Sequence, residues 1–166
     1  MLNTLNQSRI DNLKAIYAGS FNPFTNGHLD IVVEASKMFD TVYLLICTNA
    51  SKTHRTRRER ELTQDAIWDI LERLDINNVE VVVCDELIAE FAKKHYVDYI
   101  IRGLRNNIDY NYEENIAAVN ELINPELRHI YFRASNAAIS SSMVKELIQY
   151  GKDVSEFVPK EILRLI

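Results

Sequence analysis

A doubly wound α/β fold, built on a five-stranded parallel sheet with helices on both faces, is what this sequence predicts. Three observations predict it. Short apolar runs of strand length alternate five times with longer segments of helical spacing. The run Val42-Tyr43-Leu44-Leu45-Ile46-Cys47 reads as a buried strand by its length and its β-branched and aromatic content. The chain has 166 residues, 47% of them hydrophobic and 26% charged, enough for one domain with a real core.

The elements follow in order. Ala15-Ile16-Tyr17-Ala18 is a short strand ending in Gly19. His28 to Phe39 has helical spacing, with Leu29, Val32, Val33 and Ala35 on one side. Thr41 to Thr48 holds the second strand. Leu62, Ala66, Ile67, Ile70, Leu71 and Leu74 mark the clearest amphipathic helix, with Trp68 just off its stripe, at the core's flank or in a subunit contact. Val79 to Val83 is a strand, and Leu87, Ile88, Phe91 and Ala92 mark a helix. Tyr99-Ile100-Ile101 is a strand, followed by a helix from about Tyr110 to Ile123. His129 to Arg133 is the last strand, and Ser142 to Tyr150 the helix after it. A short C-terminal helix is expected near Pro159, a residue suited to a first helical turn. No repeat, linker or domain boundary is visible, so residues 1–166 are expected to form one domain, with 1–13 preceding its first core strand.

Composition narrows the function. Lys and Arg number 19 and Asp and Glu 24, a net charge of −5, which argues against nucleic acid and other extended polyanions as partners. A small phosphorylated ligand needs only a few local cations. No run approaches a membrane span, and residues 1–13 lack the apolar core of a signal peptide, so a cytoplasmic location is expected. Cys47 and Cys84 follow apolar runs and read as buried free thiols near strand ends; their wide separation fits no common zinc spacing, and no metal-ligand set is expected.

Sheets of this class bind ligands at the C-terminal ends of their strands, so chemistry belongs in the loops that follow them. The first loop reads Gly19-Ser20-Phe21-Asn22-Pro23-Phe24-Thr25-Asn26-Gly27-His28. Gly19 and Gly27 let backbone approach a ligand, and the N–H groups opening a helix attract an anion. Ser20 adds a hydroxyl, and His28 can donate to a phosphoryl oxygen. Each residue alone fits an ordinary strand-to-helix turn; the whole run does not. The second loop contains Asn49-Ala50-Ser51-Lys52, and six of the nine residues from Lys52 to Arg60 are Lys, His or Arg. A solvated basic loop is one reading; the other sends Lys52 into the site and leaves Arg55, Arg57 and Arg58 no role beyond long-range attraction of anions. The third loop, Arg102-Gly103-Leu104-Arg105, sets two arginine forks around a glycine expected to permit a tight turn. Asp109-Tyr110-Asn111-Tyr112-Glu113 follows it. The last, Ile139-Ser140-Ser141-Ser142, places three hydroxyls at a helix start, another anion cradle.

Taken together, these runs resemble the signature of the nucleotidyltransferase superfamily of α/β phosphodiesterases, which has a Rossmann-like fold. Many members carry His-x-Gly-His where this chain has Thr25-Asn26-Gly27-His28. Thr-x-Gly-His resembles the phosphopantetheine adenylyltransferase branch, whereas the nicotinate-mononucleotide adenylyltransferases and glycerol-phosphate cytidylyltransferases keep both histidines. The resemblance runs from Lys14 to about Pro159. It implies transfer of the adenylyl group of ATP to 4′-phosphopantetheine, giving 3′-dephospho-coenzyme A and pyrophosphate, with Mg²⁺ arriving on the ATP and a homohexameric assembly. His28, Lys52 and Ser20 are its implied catalytic residues. ATP contacts are implied for Ser20, Phe21, His28, Gly103, Leu104, Arg105, Glu113, Asn136, Ala137, Ala138, Ile139, Ser140, Ser141 and Ser142. Ser20, Lys52, Ile88 and Arg102 are implied contacts of the acceptor substrate. Glu113 reads equally as a solvated helix carboxylate, and Ile88 as a core residue. The family often has an aromatic residue a few positions before the serine run; here those positions are Asn136, Ala137 and Ala138. Another adenylyl- or cytidylyltransferase of the superfamily, or a non-catalytic nucleotide sensor, are the rival expectations.

Overall fold

A computed structural model of the protein describes residues 12–48, 55–133 and 138–166. Five strands form one sheet: β1 (Lys14–Gly19), β2 (Thr41–Cys47), β3 (Val79–Cys84), β4 (Tyr99–Leu104) and β5 (Arg128–Arg133). They lie in the order β3-β2-β1-β4-β5, and every pair is parallel. The helices are α1 (Asn26–Met38), α2 (Arg57–Arg73), α3 (Ile88–His95), α4 (Asn107–Ile123) and α5 (Ser141–Gln149), with a 3₁₀ turn at Ile162–Leu165.

This strand order decides where the helices go. From β1 the chain steps to β2 and β3 in one direction, then returns across the sheet to β4 and β5 in the other. Parallel crossovers are right-handed, so the outward steps put α1 and α2 on one face and the return steps put α3 and α4 on the opposite face. The core divides accordingly. Ile31, Val32 and Ala35 of α1, Ala66, Ile67 and Ile70 of α2, and Val144 of α5 pack on one side. Ala89, Phe91 and Ala92 of α3, with Leu127 and the half-buried Ile123, pack on the other. Covered on both faces, β2 buries Val42 through Ile46 without interruption, as an inner parallel strand should.

Most expected elements are present, with instructive differences at their edges. In α1 the fully covered side chains are Ile31, Val32 and Ala35, while Leu29 and Val33 are only half-buried. In α2, Leu62 and Leu74 fall outside the core, and Trp68 is 48% exposed. Helix α4 starts at Asn107 rather than Tyr110, because the Asn106 side chain accepts from the N–H groups of Ile108 and Asp109, both at 3.0 Å, and caps a polar first turn that carries no apolar periodicity. Pro159 opens no α-helix. Its carbonyl accepts from Ile162 and Leu163, and the chain ends in the 3₁₀ turn. Gly151 (φ 64°) closes α5: Gly151 N–H donates to the Ile148 carbonyl and Lys152 N–H to that of Leu147, the paired bonds of a glycine-terminated helix.

Strand order reverses between β1 and β4, and the crevice above their C-terminal ends is where a sheet of this topology takes a ligand. Among the described residues, no helix is long and apolar enough to cross a membrane.

Candidate active site

A cleft of about 660 Å³ opens at that reversal point. It gathers Ser20, Phe21 and His28 from the β1–α1 loop, Ile88 from α3, Arg102, Gly103 and Arg105 from the end of β4, Glu113 from α4, and Ile139, Ser140, Ser141 and Ser142 from the entry to α5. Five segments of the chain therefore meet in one space. Leu104 and Ala138 are not among the lining residues. Lys52, Asn136 and Ala137 lie outside the described residues.

His28 is held by the start of its own helix. Thr25 caps α1, and its hydroxyl lies 3.4 Å from His28 N–H as acceptor. In return, Thr25 N–H donates to His28 Nδ1 at 3.0 Å, closing a capping box in which histidine takes the place usual for Glu or Gln. Because Nδ1 accepts a backbone N–H, the ring proton of the neutral imidazole belongs on Nε2. The ring packs edge-on against Phe21 with centroids 5.1 Å apart, and lies 5.5 Å from Phe24. Thr25 is 1% exposed. Its contacts hold His28 in place at the start of the helix.

Phe21 takes the left-handed conformation (φ 44°) and turns a buried ring back over β1. A Cβ on Gly19 would meet that ring at 3.1 Å, so the glycine makes room for Phe21. Arg55 fixes the turn from outside: its Nη1 donates to the Phe21 carbonyl at 3.3 Å and to the Thr63 hydroxyl at 3.2 Å. Burial pulls its pKa down. Arg55 thus has a structural role that sequence reasoning denied it, and Arg57 is paired with Glu61 and Asp85.

The two cleft arginines are each gripped by a carboxylate from α4. Arg102 donates Nε and Nη2 to the two oxygens of Glu113, at 2.5 and 2.7 Å, and Nη1 to the Ala18 carbonyl at 2.7 Å. Burial opposes the guanidinium charge, but the hydrogen-bonded Glu113 carboxylate outweighs it, and the Arg102 pKa is raised. Glu113 is buried, so it is no solvated helix carboxylate; both its oxygens serve Arg102. Arg105 forks onto Asp109 at 2.9 and 3.1 Å, and this pairing holds the Asp109 carboxyl below its usual range. Gly103 sits inside β4 rather than in a tight turn. A Cβ there would meet Ile31 Cδ1 at 2.4 Å, so its bareness admits α1 close to the sheet.

The serine run divides its labour. Ser140 caps α5 by accepting from Met143 N–H at 3.1 Å, and Ser141 donates to the Pro23 carbonyl at 2.8 Å, tying this turn to the β1–α1 loop. Ser142 is exposed in the first turn. The cradle offers the N–H groups of a helix start and the remaining hydroxyl to an anion.

Tyr17, Thr48, Asp109, Tyr112 and Ile116 also line the cleft and were assigned no site role from sequence. Only Asp109 had a readable signal, a carboxylate four residues after Arg105 at the start of a helix.

Comparison with known proteins places the chain in a family. A family model described as cytidylyltransferase-like matches residues 16–147. A phosphopantetheine adenylyltransferase of Lactobacillus johnsonii is 39% identical over 153 residues, covering 90% of this chain and 90% of the relative. One of Lactobacillus gasseri is 39% identical over 160 residues, covering 90% of this chain and 89% of the relative. Among solved structures, a Vibrio parahaemolyticus protein with a provisional assignment as a nicotinate-nucleotide adenylyltransferase superimposes with a TM-score of 0.67, covering 93% of this chain and 91% of its own. At 16% identity that likeness speaks to the fold alone.

Proposed function

The chain belongs to the phosphopantetheine adenylyltransferases of the cytidylyltransferase-like family, and from that premise we propose that it transfers the adenylyl group of ATP to 4′-phosphopantetheine, releasing pyrophosphate and forming 3′-dephospho-coenzyme A. The observation that carries this reading is the convergence of Ser20, His28, Arg102, Arg105 and the start of α5 on one cleft.

The reaction is an in-line displacement. A phosphate oxygen of the acceptor attacks the α-phosphorus of ATP, and the bond to the bridging oxygen of pyrophosphate breaks. The attacking oxygen is already anionic, so no side chain needs to remove a proton from it. The protein's task is to position the reactants and to stabilise charge on the phosphoryl oxygens in the transition state. His28 presents its Nε2–H from a capped, aromatic-walled position and donates to the α-phosphate. Ser20, in the same loop, orients the acceptor phosphate. Arg102, held by Glu113, binds the acceptor, and Ile88 gives its pocket an apolar wall. Arg105 and the N-terminus of α5 hold the leaving pyrophosphate, with Gly103 and Ile139 beside them. Lys52 is assigned to offset charge between the two substrates.

Mg²⁺ belongs to this proposal as the ion carried on the triphosphate, where it neutralises phosphate charge. Among the described residues no group of three or more His, Cys, Asp or Glu could hold an ion, and the cleft carboxylates Asp109 and Glu113 are both taken by arginines. Phosphate oxygens and water would be its ligands. A cytoplasmic location and a homohexamer complete the proposal. In support of assembly, Ile108, Tyr112, Val119 and Leu122 of α4 are exposed apolar or aromatic residues.

Pyrophosphate release from ATP and Mg²⁺ tests the reading, measured with 4′-phosphopantetheine, with nicotinate mononucleotide, and with neither. Release that requires phosphopantetheine and yields dephospho-coenzyme A is expected. Release with the nicotinate nucleotide, or with no added acceptor, would overturn the choice of substrate.

A further inference from the structure

The two cysteines of this chain lie 37 positions apart in sequence, yet the sheet makes them direct neighbours: Cys47 and Cys84 are register partners across β2 and β3. Each is the last residue of its strand, where the ladder ends and the backbone has most freedom to adjust. Register partners in adjacent parallel strands point to the same face and lie about 4.8 Å apart. That separation falls inside the Cα range of disulfides, roughly 4.4–6.8 Å. Both thiols are free, and each donates to a nearby backbone carbonyl, Cys47 to Leu45 at 3.6 Å and Cys84 to Glu86 at 3.5 Å. Cys47 lines the cleft, and Cys84 lies behind it, buried.

We propose that Cys47 and Cys84 form a thiol–disulfide exchange site, open through the cleft to small neutral disulfides and closing to an internal disulfide between β2 and β3. One sulfur of the pair, as thiolate, attacks a sulfur of the incoming R–S–S–R. The R–S–S–R bond breaks, a mixed protein–S–S–R bond forms, and the first R–S⁻ leaves. The second cysteine sulfur, after losing its proton, attacks the protein sulfur of that mixed disulfide. The Cys47–Cys84 bond forms and a second R–S⁻ leaves. Both leaving thiolates take up the two protons that the cysteines lost. In sum, two protein thiols are oxidised and one small disulfide is reduced to two thiols.

The pair has a built-in division of roles. The interaction of the two neighbouring thiols draws Cys84 down to about 7 and pushes Cys47 up. At neutral pH such a shift raises the thiolate fraction while lowering intrinsic nucleophilicity, a net acceleration of roughly threefold over an ordinary thiol.

The test uses the full-length folded protein, 2-hydroxyethyl disulfide as probe, an acid quench and intact-mass analysis. Wild type is expected to lose the mass of two hydrogens, stay monomeric in covalent terms, and return to the reduced mass with dithiothreitol. Cys47→Ser and Cys84→Ser should each stop at the mixed disulfide and form it about threefold more slowly than wild type is oxidised. Circular dichroism checks that both variants fold. A wild-type protein that accumulates the mixed disulfide, forms a bridge between chains, or stays reduced under conditions that oxidise the urea-unfolded chain would overturn the proposal. The readout is a mass, so failure of the adenylyl-transfer assay leaves this result untouched.

Discussion

Replacing Thr25 with Val isolates the hold that the α1 cap has on His28. Valine matches threonine in shape, and the site is 1% exposed, so no cavity opens. What disappears is the hydroxyl that accepts from His28 N–H at 3.4 Å and lies 3.1 Å from Nδ1. Loss of a threonine cap costs about 1 kcal/mol, within a range of roughly 0.5–2. For a chain of this size that lowers Tm by about 2–4 °C. The backbone bond from Thr25 N–H to Nδ1 remains, so the Nε2–H tautomer should survive while the ring loosens. Turnover should fall by about 3–10-fold with the KM for ATP nearly unchanged, against about 100-fold or more for His28→Ala, the usual scale for removing a donor to developing charge. Pyrophosphate release and thermal unfolding measure the two effects separately. The decisive comparison is a double-mutant cycle: with His28 already replaced by Ala, Thr25→Val should still lower Tm but should no longer slow turnover. The same loss of turnover in both backgrounds would refute the positioning role and leave Thr25 as a structural cap only.

Other consequences follow from the same geometry. Glu113→Gln strips the charge from the partner of a largely buried guanidinium, whose side chain is 17% exposed. Breaking such a pair costs about 3–5 kcal/mol, so the urea midpoint should drop steeply; a shift under about 1 kcal/mol would mean that Arg102 finds another partner. Asp109 and Glu161 are both depressed, by hydrogen bonds from Arg105 and Arg73 respectively. Their folded pKa values lie below the unfolded ones, so their stabilisation is complete above about pH 4–5 and is lost as pH falls through the folded values. Urea unfolding against pH should therefore be flat from these groups near neutrality and fall in acid, and Glu161→Gln should flatten the acid limb. Gly103→Ala drives a methyl into Ile31 and should cost about 1–3 kcal/mol. Gly27→Ala meets only ordinary contacts, with 3.7 Å to Thr25 Oγ1 the shortest; it should leave Tm nearly unchanged and impair ATP binding if backbone there approaches the phosphates, which a KM measurement decides.

Residue types at strand ends were legible in the sequence because topology makes them so. A parallel sheet delivers every strand's C-terminus to one edge, so Ser20, Arg102 and Ser140 had to arrive together once five strands were recognised. Pairings were not legible in the same way. Nothing in the spacing said that Glu113, eleven residues after Arg102, would turn inward and take it, since a helix carboxylate in a polar stretch reads equally as solvated. Gly103 was misread for a related reason: a glycine between two arginines suggests a turn, whereas its cause is Ile31, a side chain seventy-two positions earlier. Arg55 lay hidden in a basic run that also holds Arg57 and Arg58, both in surface ion pairs. The register of Cys47 with Cys84 needed the strand order, and alternation along the chain does not contain it.

The pairings also explain how an acidic protein can present an anion site. Helix α4 supplies both carboxylates, Asp109 from its first turn and Glu113 one turn later, and each neutralises the arginine that it aims. The pairs are close to neutral in sum, so they add little to long-range attraction; their value lies in rotamers fixed before any phosphate arrives. What the cleft adds for an anion beyond these pairs carries no formal charge: the N–H groups at the starts of α1 and α5 and the partial positive charge of those helix ends. Recognition in such a site depends on geometry more than on charge. A substitution that keeps the charge of Arg102 or Arg105 but loses its fork, as Lys would, should therefore behave nearly as a deletion.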